Sequence, residues 1–175
     1  MIIGLLAKKR HGKDTIADYL VEHHGFRKLH FADPLKNICK ELYKFSDEQL
    51  NGNLKDVAIV EHCNGGIIGK TPRSLFKYHG MEQRKEFGED FWIEHMKGRM
   101  ENGNIAIADV RFQNEVNAIK EWGGIVIKIV RDLDNDDFHQ SEVEIDRVDN
   151  YDYEVFNDGT IEELYEKIEN ILGEL

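Results

Sequence analysis

Cysteine and proline are both scarce, with two of each in 175 residues. Cys39 and Cys63 form no CxxC pair and no Cys/His array. That excludes a disulfide-stapled scaffold and gives no zinc-site pattern, and it fits a reducing compartment. No linker rich in proline, glycine or serine breaks the chain, and no repeat is visible, so one domain is expected. No apolar run approaches the ~20 residues of a membrane span. The opening run Met1 to Ala7 precedes its basic residues and lacks a small-residue cleavage site, so it does not read as an export signal. A soluble, cytoplasmic protein is expected. Positive charge is short too: 23 Lys and Arg against 34 Asp and Glu give a net charge of −11. This argues against a nucleic-acid backbone as partner. It leaves room for a small phosphorylated ligand held by a local basic cluster. What remains is an ordinary globular mix, 41% hydrophobic and 33% charged, large enough to bury a layered core.

The apolar residues mark alternating elements. Ile2 to Ala7 is a continuous apolar run, as in a strand buried on both faces. Lys13 to His24 has Ile16, Ala17, Leu20 and Val21 at helical spacing and Gly25 at the C-cap position. Arg27 to Phe31 reads as a short strand. A helix follows from Pro34 to about Phe45, with Leu35, Ile38, Cys39 and Leu42 on one face. Residues 46–71 are irregular, with Asn64-Gly65-Gly66 suggesting a hairpin or loop excursion. Helices are expected over Pro72 to Phe87, Asp90 to Met100 and Asn114 to Trp122, and strands over Ile105 to Ala108, Ile125 to Val130 and Tyr153 to Phe156. Residues 132–150 are acidic and irregular, carrying Asp132, Asp134, Asp136 and Asp137. The last helix, to Leu172, opens on Thr160 with Glu163 in capping-box position. Strands alternating with helices imply an α/β fold with a parallel sheet covered on both faces. Ligands of such sheets lie at the carboxyl ends of the strands. Lys8 to Asp14, Asp33, Asp109 to Arg111 and Arg131 all fall there.

The run Ala7-Lys8-Lys9-Arg10-His11-Gly12-Lys13-Asp14-Thr15 sits between a strand and a helix and matches a phosphate-binding loop at Gly12 and Lys13. Backbone N–H groups and the helix N-terminus there favour negative charge. Lys13 would reach the β- and γ-phosphates. The generic first glycine is Ala7, and the generic Ser/Thr after the lysine is Asp14, whose carboxylate is a suitable Mg²⁺ ligand. Thr15 offers a hydroxyl one position later. A surface turn with a basic cluster would share the Gly-Lys pair, but not its strand–loop–helix setting.

Elsewhere the residue types allow two readings. Asp109 and Arg111 suit a metal-partner or substrate contact, or a helix cap. Arg73 and Arg84 could hold phosphate with a two-toothed fork, or line a solvated helix face. Arg131 precedes an acidic segment long enough for a lid. His139, Ser141 and Glu142 lie within it, without the surroundings of a nucleophile elbow. Asn157-Asp158-Gly159-Thr160 is a turn and cap that could also touch a base.

Taken in order, several of these runs resemble one family. Gly12-Lys13-Asp14-Thr15 with Ala17-Asp18-Tyr19-Leu20, Phe31-Ala32-Asp33-Pro34-Leu35-Lys36, and Thr71-Pro72-Arg73 followed by Gly80, Glu82 and Asp90-Phe91-Trp92 are similar to motifs of bacteriophage-type deoxynucleoside monophosphate kinases. So are Asp109-Val110-Arg111-Phe112 with Asn114-Glu115, Gly123-Gly124, Ser141-Glu142 and Asn157-Asp158-Gly159-Thr160. Animal phosphomevalonate kinases resemble it more distantly and also carry Gly-Lys-Asp. The resemblance implies a three-layer, adenylate-kinase-like P-loop fold with about five parallel strands. It implies ATP as donor, Mg²⁺ as cofactor and a deoxynucleoside 5′-monophosphate as acceptor, in the cytoplasm (of the host, for a phage protein). Lys9, Arg10, His11, Gly12, Lys13, Asp14, Thr15 and Asn157 would bind the donor, with Asp14 on the metal. Asp33, Lys36, Arg73, Arg84, Asp109, Arg111 and Glu115 would bind the acceptor. Lys13, Arg111 and Arg131 would act on the transferring group. An acceptor-binding insertion is expected at about 46–100 and a lid at about 131–150, in a monomer or homodimer. Two alternatives stay open: a kinase of another small phosphorylated acceptor such as phosphomevalonate, or a nucleotide-binding regulatory module.

Overall fold

The computed structural model describes residues 1–62, 65–132 and 140–175. Five strands form one parallel sheet: β1 (Ile2–Ala7), β2 (Arg27–Leu29), β3 (Ile105–Val110), β4 (Ile125–Val130) and β5 (Tyr153–Phe156), in the order β2-β3-β1-β4-β5. The first strand in sequence is thus central in space. Both of its neighbours are parallel, so each must arrive by a crossover, and helices cover both faces of the sheet.

Strand pleating sorts the core. Ile3, Leu5 and Ala7, Ala106 and Ala108, Ile127 and Ile129, and Val155 point to one face. There they meet Ile16, Ala17 and Leu20 of α1 (Lys13–His24) and Leu164, Ile168 and Ile171 of α8 (Ile161–Gly173). On the other face, Gly4 lies under Ile119 of α6 (Gln113–Glu121), beside Val110 and Val126. Each fully buried Ile or Leu contributes about 1.5–3 kcal/mol of transfer free energy. Gly25 closes α1 in the left-handed region, φ 66°, returning its N–H to Leu20 O. At the start of α8, Thr160 Oγ1 accepts from Glu163 N–H and Glu163 Oε2 accepts from Thr160 N–H, the expected capping box.

Contacts divide the chain into two compact units, 1–31 with 96–175, and 32–95. The second holds α2 (Asp33–Tyr43), α3 (Asp47–Leu50), α4 (Pro72–Phe87) and most of α5 (Phe91–Lys97). Its own core includes Leu35, Cys39, Phe45, Leu75, Phe76 and Trp92.

Several boundaries and faces differ from the sequence expectation. Asp109 lies inside β3 rather than after it. β2 stops at Leu29, and α5 is three residues shorter at its C-terminal end than expected. Residues 46–71 form no strand among the described positions. They carry α3 and two 3₁₀ turns, and the excursion is closed by Ile59 N–H to Lys70 O and Gly69 N–H to Ile59 O, both 2.8 Å. Asn64 and Cys63 lie outside the described residues. Only Leu35 and Cys39 of the proposed α2 face are buried, whereas Ile38 and Leu42 are exposed, as is Val21 on α1. Part of the acidic segment is helical, α7 (Gln140–Arg147). Asp134, Asp136, Asp137 and His139 lie outside the described residues.

Candidate active site

The loop after β1 is curled by two left-handed residues, Arg10 (φ 68°) and Gly12 (φ 101°). Gly12 also caps α1 and offers no side chain to the first N–H groups of the helix. A residue with a Cβ could hardly stand there: the added carbon would lie 2.6 Å from Asn157 Nδ2. That Nδ2 donates to His11 O at 2.9 Å, and Asn157 N–H donates to Val130 O at 2.7 Å. Asn157 therefore joins the loop to the ends of β4 and β5. His11 makes a second join. Its imidazole is buried, and Nδ1 accepts from Arg131 N–H at 3.1 Å. Nδ1 also lies 3.3 Å from Ile129 O; accepting from Arg131 N–H puts the ring proton on Nε2, whereas donating to Ile129 O would need it on Nδ1.

Beside these joins an open cavity of about 350 Å³ is lined by Arg10, Gly12, Lys13, Asp14, Thr15, Arg131 and Asn157, with Gly159, Ile161 and Leu164 completing the wall. Seven residues assigned to the donor or to the transferring group thus share one cavity. His11 turns its side chain inward instead, and Lys9 is not in the lining. Ile161 was not singled out from sequence. The available signal was an apolar residue in the exposed first turn of α8, where it is 48% exposed.

Lys13 is mostly buried, with its side chain 12% exposed and Nζ 3.9 Å from Asp14 Oδ2. Asp14 also meets Lys28 of β2, Nζ to Oδ1 3.2 Å. Partial desolvation pushes the Asp14 carboxyl up, but Lys13 and Lys28 outweigh it, and its pKa falls below the ordinary value. Asp14 is therefore an anion at neutral pH, as a hard-cation ligand must be. Among the described residues no three His, Cys, Asp or Glu side chains converge on a point. A divalent ion at Asp14 would thus take most of its ligands from phosphate oxygens and water, which suits Mg²⁺.

The remaining site residues are engaged elsewhere. Asp109 Oδ1 accepts from Phe31 N–H at 2.7 Å, fixing the chain after β2 against β3. Glu115 is buried, and its Oε2 accepts from Arg111 N–H at 2.8 Å and Phe112 N–H at 3.2 Å. It caps α6 and fixes the backbone that carries Arg111. In the second unit, Arg73 forms a two-toothed ion pair with Asp56, Nε to Oδ1 2.5 Å and Nη2 to Oδ2 3.1 Å. Arg84 is buried and donates to Glu89 O at 2.7 Å, and Lys36 Nζ donates to Asn51 Oδ1 at 2.9 Å. Asp33 stands in the first turn of α2.

Comparison with known proteins bears on the fold and the family. The chain is similar in fold to dephospho-CoA kinase from Campylobacter jejuni, with a TM-score of 0.56 at 15% identity over 99% of this chain and 96% of that one. It is 37% identical, over 96% of its length and 94% of the relative's, to a candidate deoxynucleotide monophosphate kinase of Acanthamoeba polyphaga mimivirus. The family model for deoxynucleotide monophosphate kinase matches residues 1–68 and 83–168, which takes in the phosphate loop, the β3 end with Arg111, and the Asn157 turn. With that span, and with the loop, lysine and carboxylate gathered at one cavity, the chain belongs to the deoxynucleotide monophosphate kinase family.

Proposed function

We propose that the protein transfers the γ-phosphoryl group of ATP, with Mg²⁺, to a deoxynucleoside 5′-monophosphate and releases the diphosphate and ADP. The observation that carries this reading is the gathering of Lys13, Asp14, Arg131 and Asn157 around one cavity at the mouth of the phosphate loop. Lys13 holds the β- and γ-phosphates together with the loop amides. Mg²⁺, when bound, neutralises charge on those phosphates. Asp14 serves as its protein ligand. Arg131 lies on the cavity wall and stabilises charge on the transferring group. Arg111, held by the Glu115 cap, is assigned to the acceptor phosphate. The resemblance assigns Asp33, Lys36, Arg73 and Arg84 to acceptor binding. The acceptor phosphate is already ionised at pH 7, so positioning and electrostatics suffice and no covalent intermediate is required. No helix among the described residues is long and apolar enough to cross a membrane. The same reading puts the enzyme in the cytoplasm, and action on a small nucleotide without nucleic acid fits the −11 charge.

An ADP-release assay over a panel of nucleoside monophosphates, with phosphomevalonate included, tests the acceptor. Turnover should require a deoxynucleoside monophosphate, and turnover with none of them refutes the proposal. Lys13→Ala should lower kcat/KM by about 10²–10³, roughly 3–4 kcal/mol of transition-state stabilisation. Near-normal turnover in that variant would remove the loop from the mechanism.

A further inference from the structure

Asp14 has a partner that the phosphate-loop chemistry does not call for. Lys28 reaches from β2 to α1 and lies between two carboxylates, 3.2 Å from Asp14 Oδ1 and 2.9 Å from Asp18 Oδ1. The carboxylates are four residues apart on one helix and therefore share a face. The Lys28 side chain is 22% exposed, while those of Asp14 and Asp18 are each 62% exposed. Asp18 is the shorter of the two contacts and does not line the cavity. Desolvation pushes the Lys28 ammonium down, yet Asp18 and Asp14 more than offset it, and its pKa rises above the ordinary value. Lys28 is therefore a permanent cation beside the carboxylate that would take a divalent ion.

We propose that Lys28 is a positioning residue that tunes divalent-ion affinity at Asp14, bridging Asp14 and Asp18 in the metal-free enzyme and withdrawing onto Asp18 when the ion binds. Three features support it. The ammonium has a second anchor ready, so it can leave Asp14 without losing its counter-charge. Asp18 is outside the cavity, so the withdrawal moves charge away from the ion. Lys13, which also lies beside Asp14, is committed to phosphate in the same reading and cannot serve as the movable one. A like charge about 5 Å from a divalent ion in a near-aqueous medium weakens its binding roughly tenfold. The bridge thus lowers metal affinity by about that factor. Asp18 limits the penalty by drawing the lysine aside.

This inference rests on the donor assignment above, and the experiment separates the two. ADP binding is first measured by calorimetry in EDTA, and Mn²⁺ is then titrated into the ADP complex and followed by electron paramagnetic resonance. Lys28→Met should lower the Mn²⁺ dissociation constant roughly tenfold. Asp18→Asn, which leaves Lys28 on Asp14, should raise it roughly threefold. Lys28→Arg should stay within about twofold of the parent, because it keeps the charge. The gain in Mn²⁺ affinity from Lys28→Met should be larger in the Asp18→Asn background than in the parent, because without Asp18 the lysine stays on Asp14; equal gains in the two backgrounds would mean that Asp18 acts only by its own charge and would overturn the withdrawal. A purely structural tie between β2 and α1 would lower the melting temperature of both single variants and leave the Mn²⁺ constants equal, and that result overturns the inference. Weaker Mn²⁺ binding in Lys28→Met overturns it too. If that variant does not fold, an unchanged constant in Asp18→Asn is sufficient to reject it. Failure of ADP to bind overturns the donor assignment and this inference with it, whereas ADP binding with unaltered Mn²⁺ constants removes this inference alone.

Discussion

Replacing Gly12 by alanine tests the loop geometry in a way that can be worked out beforehand. The backbone there has φ 101° and ψ 9°, where a side chain costs about 1–2 kcal/mol. The new Cβ would lie 2.6 Å from Asn157 Nδ2, so the amide must move. Moving it breaks the buried bond to His11 O, worth about 1–3 kcal/mol when the acceptor is left unpaired. Alanine restricts the unfolded chain and returns about 0.4–1 kcal/mol. The net loss is about 2–4 kcal/mol, a fall in melting temperature of roughly 5–15 °C for a domain of this size. Calorimetry or circular dichroism melts would measure it. The control is Asn157→Ala, which removes the atom in the way. In that background Gly12→Ala should cost only about 1 kcal/mol, the strain less the chain-entropy gain. An equal cost in both backgrounds would refute the claim that Asn157 is what requires glycine at position 12.

Glu115→Ala should destabilise the protein by about 2–3 kcal/mol, because the Arg111 and Phe112 amides lose their buried acceptor; urea unfolding would measure it. Glu169 accepts from Tyr19 Oη, and its Oε1 also pairs with His24 Nε2 at 2.6 Å; these hydrogen bonds hold its pKa below the ordinary 4.5. A lowered carboxyl pKa stabilises the fold above the ordinary value, and that contribution is lost as the pH falls through the lowered one. Glu169→Gln should therefore melt lower than the parent at pH 7, and the gap should close as the pH is taken down from 4.5. Cys39 is fully buried, with its thiol pushed up to about 11 by desolvation. In the native protein at pH 8 it should resist iodoacetamide and become labelled only on unfolding, as peptide mass spectrometry would detect.

The parts of the fold that were legible in the sequence are those whose signals are local. The uninterrupted run Ile2 to Ala7, the glycines at both ends of α1 and the Thr160–Glu163 box each determine geometry within a few residues. The cavity residues Lys13, Asp14 and Thr15 were legible for the same reason. What escaped depends on partners far away in the chain. Nothing near Lys28 announces that a strand lysine will bridge two helix carboxylates, and nothing near Arg73 points to Asp56, 17 residues away. The buried face of α2 is not legible in the sequence, because spacing shows only which residues share a side. Burial depends on what packs there, and the core of that unit takes Leu35 and Cys39 while leaving Ile38 and Leu42 outside. α3 is one turn long, and its Ser46–Gln49 box marks a helix too short to show a period.

The central position of β1 has a consequence for how the chain folds. Ile3 pairs with Ala106 on one side and Ile125 on the other, so neither flank of the strand can close until more than a hundred further residues exist. During synthesis from the N-terminus, the wholly apolar β1 waits longest of the described strands for its partners. Such long-range parallel pairing is slow and leaves the edge open to association with other chains. Refolding yield should therefore fall steeply as protein concentration rises, even at conditions where the finished fold is stable.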